Sequence, residues 1–169
     1  MWNKLNLIVA ALVLAGCQTG SSTKEQDFFQ LSLKLKTCAQ DEFQLFYLDQ
    51  KTDTFSDNQR LRIPVSPSDS FQEILFQVPI DYYPPRFRID LGEHRQTCFL
   101  EVDTIEIKFR HKKIIIPPRA IQRYFDSNIY MELEDSIIRR FPVKGRYDPI
   151  LFSSPLLEKE MYLRFQLEN

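Results

Sequence analysis

Alternation at a period of two runs through most of this chain and restricts what it can fold into. In QLSLKLKT, Leu31, Leu33 and Leu35 alternate with Ser32, Lys34 and Lys36. EFQLFYLD sets Phe43, Leu45 and Tyr47 on one face and Phe46 and Leu48 on the other. RLRIPV directs Leu61, Ile63 and Val65 one way and Arg60 and Arg62 the other. EILFQV, RFRIDL and DTIEIKF repeat the pattern with Ile74, Phe76 and Val78, with Phe87, Ile89 and Leu91, and with Ile105, Ile107 and Phe109. Side chains on a strand point to opposite faces in turn, so each segment predicts a strand with one buried and one wetted face. The same reading makes MYLRFQL at the C-terminus a strand, with Met161, Leu163, Phe165 and Leu167 inward.

Between these segments lie turn-prone stretches such as DQKTDTFSDNQ, SPSDS, DYYPP and LGEHR. Short alternating strands at near-regular spacing predict an antiparallel sandwich or barrel rather than an α/β fold. One stretch departs from the rhythm. Pro118 suits a first helical turn, and Ala120, Ile121, Tyr124 and Phe125 share one side of a short helix near 118–125. NIYMELE then returns to alternation. No repeat and no second boundary divides residues 27–169, which read as one domain.

The first 26 residues read differently. Met1 to Asn6 carry one cation, Lys4, and Leu7 to Ala15 are apolar without a break. A helix of that length rises roughly 14 Å, about half of a hydrocarbon core, so it is too short to span a bilayer. A basic start, a short apolar stretch and small residues before a cut make residues 1–16 a secretory signal. Leu14-Ala15-Gly16-Cys17 resembles the bacterial lipobox, in which the cysteine receives diacylglycerol and becomes the first residue of the mature chain. The resemblance implies that Cys17 is a lipid anchor, with two or three acyl chains holding the protein where one would not. Residues 17–26 then form a flexible tether rich in Gly, Ser and Thr. By resemblance to lipoprotein sorting in enteric bacteria, Gln18 implies delivery to the outer membrane, and the localisation expected is the cell envelope.

Without the leader, 21 of the 22 Lys and Arg remain against 23 Asp and Glu, a near-neutral balance with no basic block, so no nucleic-acid partner is expected. Acylation of Cys17 leaves Cys38 and Cys98. In an oxidising compartment such thiols usually close, here around a loop of about 60 residues worth roughly 4 kcal/mol in the chain-entropy treatment. Two buried free thiols are the alternative. His94 and His111 show no ligand spacing to either cysteine, so no metal is expected there. Asp49, Asp53, Asp57 and Asn58 fail the EF-hand spacing and read as a solvated acidic hairpin tip.

The stretch from Phe43 to Ile107 resembles a β-sandwich module of bacterial surface-polysaccharide enzymes and related envelope proteins. The residues that carry the likeness are Tyr47, then Phe55-Ser56-Asp57, then Arg88-Ile89-Asp90. The resemblance implies a jelly-roll-like sandwich similar to carbohydrate-binding modules, and it covers less than half of the chain. Such modules stack sugars on aromatic rings and bind hydroxyls with carboxylates, amides and guanidinium groups. The candidate glycan-binding residues are therefore Tyr82 and Tyr83 in the loop DYYPP, with Tyr47, Arg86 and Asp90 near them.

No glycine-rich phosphate loop, nucleophile elbow or HExxH motif is present, so no catalytic residue, no cofactor and no enzyme activity are expected. Two functions remain. One is a membrane-anchored, non-catalytic envelope lipoprotein that binds glycan. The other is an assembly lipoprotein that docks a protein partner through a sheet edge or apolar patch.

Overall fold

A computed structural model describes residues 27–49, 51–80, 82–93 and 99–167. Cys17, the leader and the tether fall outside the described residues, as does Cys98. Among the described residues, eleven strands form two antiparallel sheets, with two short helices, and the architecture is that of a β-sandwich.

The first sheet holds β1 (Phe28–Thr37), β4 (Ser68–Pro79), β6 (Leu100–Phe109), β7 (Lys112–Ile116), β9 (Met131–Glu134) and β10 (Ile137–Arg140). Its order is β4-β1-β6-β10-β9, with β7 also paired to β6. The second sheet runs β3 (Arg60–Val65), β2 (Asp41–Tyr47), β5 (Phe87–Leu91), β11 (Ile150–Ser153) and β8 (Phe125–Ser127). The six segments from QLSLKLKT to DTIEIKF supply β1 to β6, and their inward residues meet between the sheets. Phe29, Leu31, Leu45, Phe76, Phe87, Ile89 and Ile107 are fully buried. Phe29 from one sheet meets Phe87 from the other at 5.8 Å between ring centroids, and Phe87 in turn meets Phe125 at 6.0 Å. Fully burying one such side chain contributes about 1.5–3 kcal/mol.

Because Phe29 lies against Phe87, the start of β1 and the start of β5 share one end of the sandwich. Thr37 and Leu91 lie at the other. The first is called the near end below, since the chain enters the domain there, and the second the far end.

The helix near 118–125 is present in shorter form. A 3-10 turn at Pro118–Ala120 leads into α1 (Ile121–Tyr124), and Phe125 already begins β8. The C-terminal segment corrects the sequence reading. MYLRFQL is not a strand: α2 spans Pro155–Tyr162 and a π-helical turn continues it through Leu163–Leu167. Ser154 starts this helix, its hydroxyl accepting from the Leu157 N–H at 3.3 Å, with Pro155 in the first turn. Leu157, Met161 and Phe165 are buried and spaced four apart. Four is a multiple of two as well as roughly one helical turn, so a strand and a helix share that spacing. β7, β10 and β11 also escaped the alternation pattern, being only four or five residues long.

The chain has only four glycines, so left-handed turn positions fall to other residues as well. Asp135 adopts a left-handed conformation (φ 50°), and so do Arg110 (φ 56°) and Lys144 (φ 50°). Among the described residues no helix is long and apolar enough to cross a membrane.

Candidate functional site

Cross-strand register assembles a cleft on the outer face of the second sheet. Phe46 of β2 lies opposite Arg60 of β3 and Arg88 of β5, while Gln44 lies opposite Arg62 and Asp90. Residues paired across an antiparallel sheet share a face, so Glu42, Gln44, Phe46, Arg60, Arg62, Arg88 and Asp90 all point outward. The loop after β2 adds Phe55, Ser56 and Asp57, and Tyr147 and Asp148 close the opposite side. The space they enclose is about 610 Å³.

The floor is an aromatic–guanidinium stack. Arg88 places its guanidinium carbon 4.2 Å from the Phe46 ring centroid and 5.5 Å from that of Phe55, and Arg60 lies 5.4 Å from Phe46. This stacking explains how Phe46 is only 6% exposed although it belongs to the outward parity. Asp57 holds Arg60 at 2.8 Å. Arg88 also pairs with Asp90, through Nη2 to Oδ2 at 3.1 Å and Nε to Oδ1 at 3.1 Å. The second contact lacks hydrogen-bonding alignment, leaving Arg88 Nε and Asp90 Oδ1 buried without a hydrogen-bond partner. Burial raises the Asp90 pKa from 3.8 to about 6; the positive charge of Arg88 opposes that shift and the negative charge of Asp148 adds to it. Along the far rim, Gln44 Nε2 donates to Glu93 Oε1 at 2.6 Å and to Glu42 Oε1 at 3.2 Å, and Arg62 reaches Glu42 at 3.1 Å.

Beneath that rim lies a second Arg–Asp pair. Arg140 and Asp41 have no solvent-exposed side-chain surface and meet at 2.9 Å. Asp41 Oδ1 accepts from the N–H groups of Glu42 and Glu93, both at 2.9 Å, and Arg140 Nη1 also donates to the Leu91 carbonyl. Gly92, at φ +104°, passes so close that a Cβ would lie 2.0 Å from Asp41 Oδ2 and 2.6 Å from Arg140 Nη1. Tyr147 forms part of the cleft wall next to this pair; its hydroxyl is buried without a partner, and burial raises its pKa.

The five residues anticipated for glycan binding do not come together. Asp90 lies in the cleft. Tyr47 and Tyr82 are half-buried neighbours at the near end, where burial, followed by the Tyr82 and Asp49 charges, raises the Tyr47 pKa. Tyr83 packs its ring against Phe109 (6.0 Å) and Phe165 (5.6 Å). Arg86 is exposed but held by Glu158 at 2.8 Å. Asp49 caps its own turn: Oδ1 accepts from the Lys51 N–H at 2.8 Å and from the Thr52 N–H at 2.7 Å. Among the described residues no group of three or more His, Cys, Asp or Glu is arranged to hold a metal ion.

Arg88, Arg60, Phe46, Phe55, Glu42, Gln44, Glu93 and Tyr147 are cleft residues absent from the candidate glycan-binding set expected from the sequence. Phe46 was the available signal, an aromatic of outward parity between Gln44 and Leu48 with arginines at the same parity in RLRIPV and RFRIDL. Phe55-Ser56-Asp57 and Arg88-Ile89-Asp90, which carried the sandwich-module resemblance, bring five residues to the cleft, Ile89 alone facing the core.

Compared with known proteins, the chain matches no family model, no curated protein and no solved structure.

Proposed function

We propose that this chain is a membrane-anchored lipoprotein of the cell envelope, delivered to the outer membrane, whose β-sandwich binds glycan without catalysis. The observation that carries the reading is the Phe46–Arg88–Phe55 stack beside Asp90 in an open cleft. A sugar offers an apolar C–H face and a ring of hydroxyls. Phe55 and the flat guanidinium of Arg88 suit the first, while Asp90, Gln44, Glu93 and Asp148 suit the second. A hydroxyl left without a partner would cost about 1–3 kcal/mol, so a polar rim matters as much as the stacking floor.

The test is retention of the detergent-solubilised chain on a glycan array, alongside Arg88→Ala and Phe55→Ala. Retention lost in both variants, with melting unchanged, supports the reading; retention equal to wild type in both overturns it.

The lipid anchor at Cys17 is tested by palmitate labelling and detergent partitioning, both of which Cys17→Ala should abolish. Cys98 is proposed as the disulfide partner of Cys38. Cys38 is exposed just past β1, where a bond to another segment is sterically open. Peptide mapping without reductant should yield the linked pair; free Cys98 thiol would remove the proposal.

A second reading, docking of an envelope protein, draws on β4. This strand of 12 residues ends the first sheet and is paired within the sheet on one side only, to β1. Such an edge can accept another strand. Co-purification that survives loss of the cleft and fails when Leu75 is replaced by Pro would favour it.

A further inference from the structure

The C-terminal helix carries two apolar stripes, and only one is used inside the domain. Leu157, Met161 and Phe165 are buried against the sandwich. Leu156, Leu163 and Leu167 are 36%, 40% and 57% exposed, and Tyr162 is 49% exposed. On a helical projection Leu156 and Leu163 lie seven residues, close to two α-turns, apart, and Leu167 follows Leu163 by close to one π-turn, so the three fall near one line. Isolated apolar residues on a surface mean little, but an aligned row on one helix marks a contact.

The row belongs to the near end. Phe165 meets Phe109 at 6.0 Å and Tyr83 at 5.6 Å, and Tyr162 lies close enough to Tyr83 to influence its ionisation. Phe109 pairs with Phe29 at the start of β1, and Arg110 at the next position binds Asp27 at 2.7 Å. The β6–β7 turn beside it, Arg110-His111, and the first residues of β7, Lys112 and Lys113, gather three cations, of which Arg110 is paired to Asp27 and Lys113 to Glu106 at 3.5 Å, and β7 packs on the π-helical turn. The point where the chain enters the domain, an exposed leucine row and a basic hairpin tip thus occupy one end.

We infer that this end of the sandwich rests on the lipid surface to which Cys17 tethers the chain, with Leu163, Leu167 and Tyr162 in the interfacial layer. The inference depends on the lipoprotein reading. Nine residues, Gln18 to Gln26, separate the anchor from the domain. A flexible linker of that length has a root-mean-square span of about 15–18 Å. β1 runs ten residues, roughly 33 Å, from the near end to the far end. Resting the far end on the membrane would require the tether to return along the whole sandwich, close to its full extension. The near end needs no such stretch. Tyrosine and leucine suit the interface, and the cationic tip suits anionic headgroups. The cleft lies on the outer face of the second sheet, along the side of the sandwich, and its rim at Gly92 and Glu93 is the part farthest from the lipid.

The experiment uses the processed, lipidated chain reconstituted in vesicles. Trp2 leaves with the leader, so an introduced tryptophan is the sole one. Leu167→Trp, Leu163→Trp and, as the far-end control, Phe99→Trp are compared in vesicles whose acyl chains carry bromine, a contact quencher. Phe99 is 51% exposed beside Cys38 and Thr37. The expected result is quenching at 167 or 163 at least about twofold stronger than at 99, and stronger in anionic than in zwitterionic vesicles. Chain that floats with the vesicles but shows equal quenching at both ends, or none, overturns the inference and leaves the anchor intact. Chain that fails to float, as Cys17→Ala should, overturns the anchor reading and this inference together.

Discussion

Arg140 and Arg88 both bind an aspartate at about the same distance, 2.9 and 3.1 Å, but the two pairs differ in what surrounds them. Arg140–Asp41 is wholly enclosed, and Asp41 is further fixed by two backbone N–H groups. Arg88–Asp90 keeps 25% and 17% of its side-chain surface open, and the guanidinium has an aromatic face to lie on. Enclosure raises the cost of breaking a pair, because the surviving charge has no water to turn to. Partial exposure lowers that cost and leaves donors and acceptors available to a ligand. The first pair locks the far end of the sandwich, and the second is suited to be exchanged.

Arg140→Met should break the comparison most severely. It takes the buried cation away from the Asp41 carboxylate, and urea titration should show a loss of about 3–5 kcal/mol. Adding Asp41→Leu should recover much of that loss, since replacing both partners with apolar groups removes the stranded charge. Arg88→Met should cost far less stability while abolishing glycan retention. Equal losses from Arg140→Met and Arg88→Met would mean that the two pairs are not different in kind.

Gly92→Ala attacks the same lock from the backbone. The new Cβ meets Asp41 and Arg140 within 3 Å at a φ that disfavours any side chain. A loss of about 2–3 kcal/mol in chemical denaturation is expected. A neutral result would show that Leu91–Glu93 can shift without disturbing the pair.

The next effect is a pH dependence. Asp90 binds its proton more tightly in the folded state, about 6, than at its ordinary value of 3.8. Protonation of this group therefore stabilises the fold fully below pH ~4, and that contribution is lost as pH rises through 6. Asp90→Asn should raise stability at pH 7 relative to wild type and flatten the slope between pH 4 and 6. Melting temperatures across that window are the measurement, and an unchanged slope would assign the titration elsewhere. The smallest effect is expected for Arg62→Ala, whose partner Glu42 lies at the exposed rim. Loss of one such surface pair should cost about 0–1 kcal/mol.

Strand-by-strand alternation was enough to read β1 to β6, because each inward residue is chosen by burial and each outward one by water. The same signal failed at Met161–Leu167, where apolar residues four apart satisfy both periods and the Ser154–Pro155 start was the better guide. For the site, sequence motifs supplied its members without their meeting place. Phe55 and Arg88 are 33 positions apart in the sequence, and the tyrosines of DYYPP stood out more plainly as candidates.

By itself the sequence determined a mainly β chain of two-faced strands, and it supplied the leader pattern on which the anchor proposal stands. Those properties follow from local spacing, which each segment carries alone. The cleft and the lock beneath it were decided only by tertiary structure. Arg140 and Asp41 are 99 positions apart, and Arg88 reaches Phe46 only because β2 and β5 pair in one register and no other. A shift of one residue would turn Arg88 and Asp90 into the core and Ile89 out to solvent. Packing between the two sheets forbids that slip, since it would bury two charges and expose the apolar row, and so the core fixes the site.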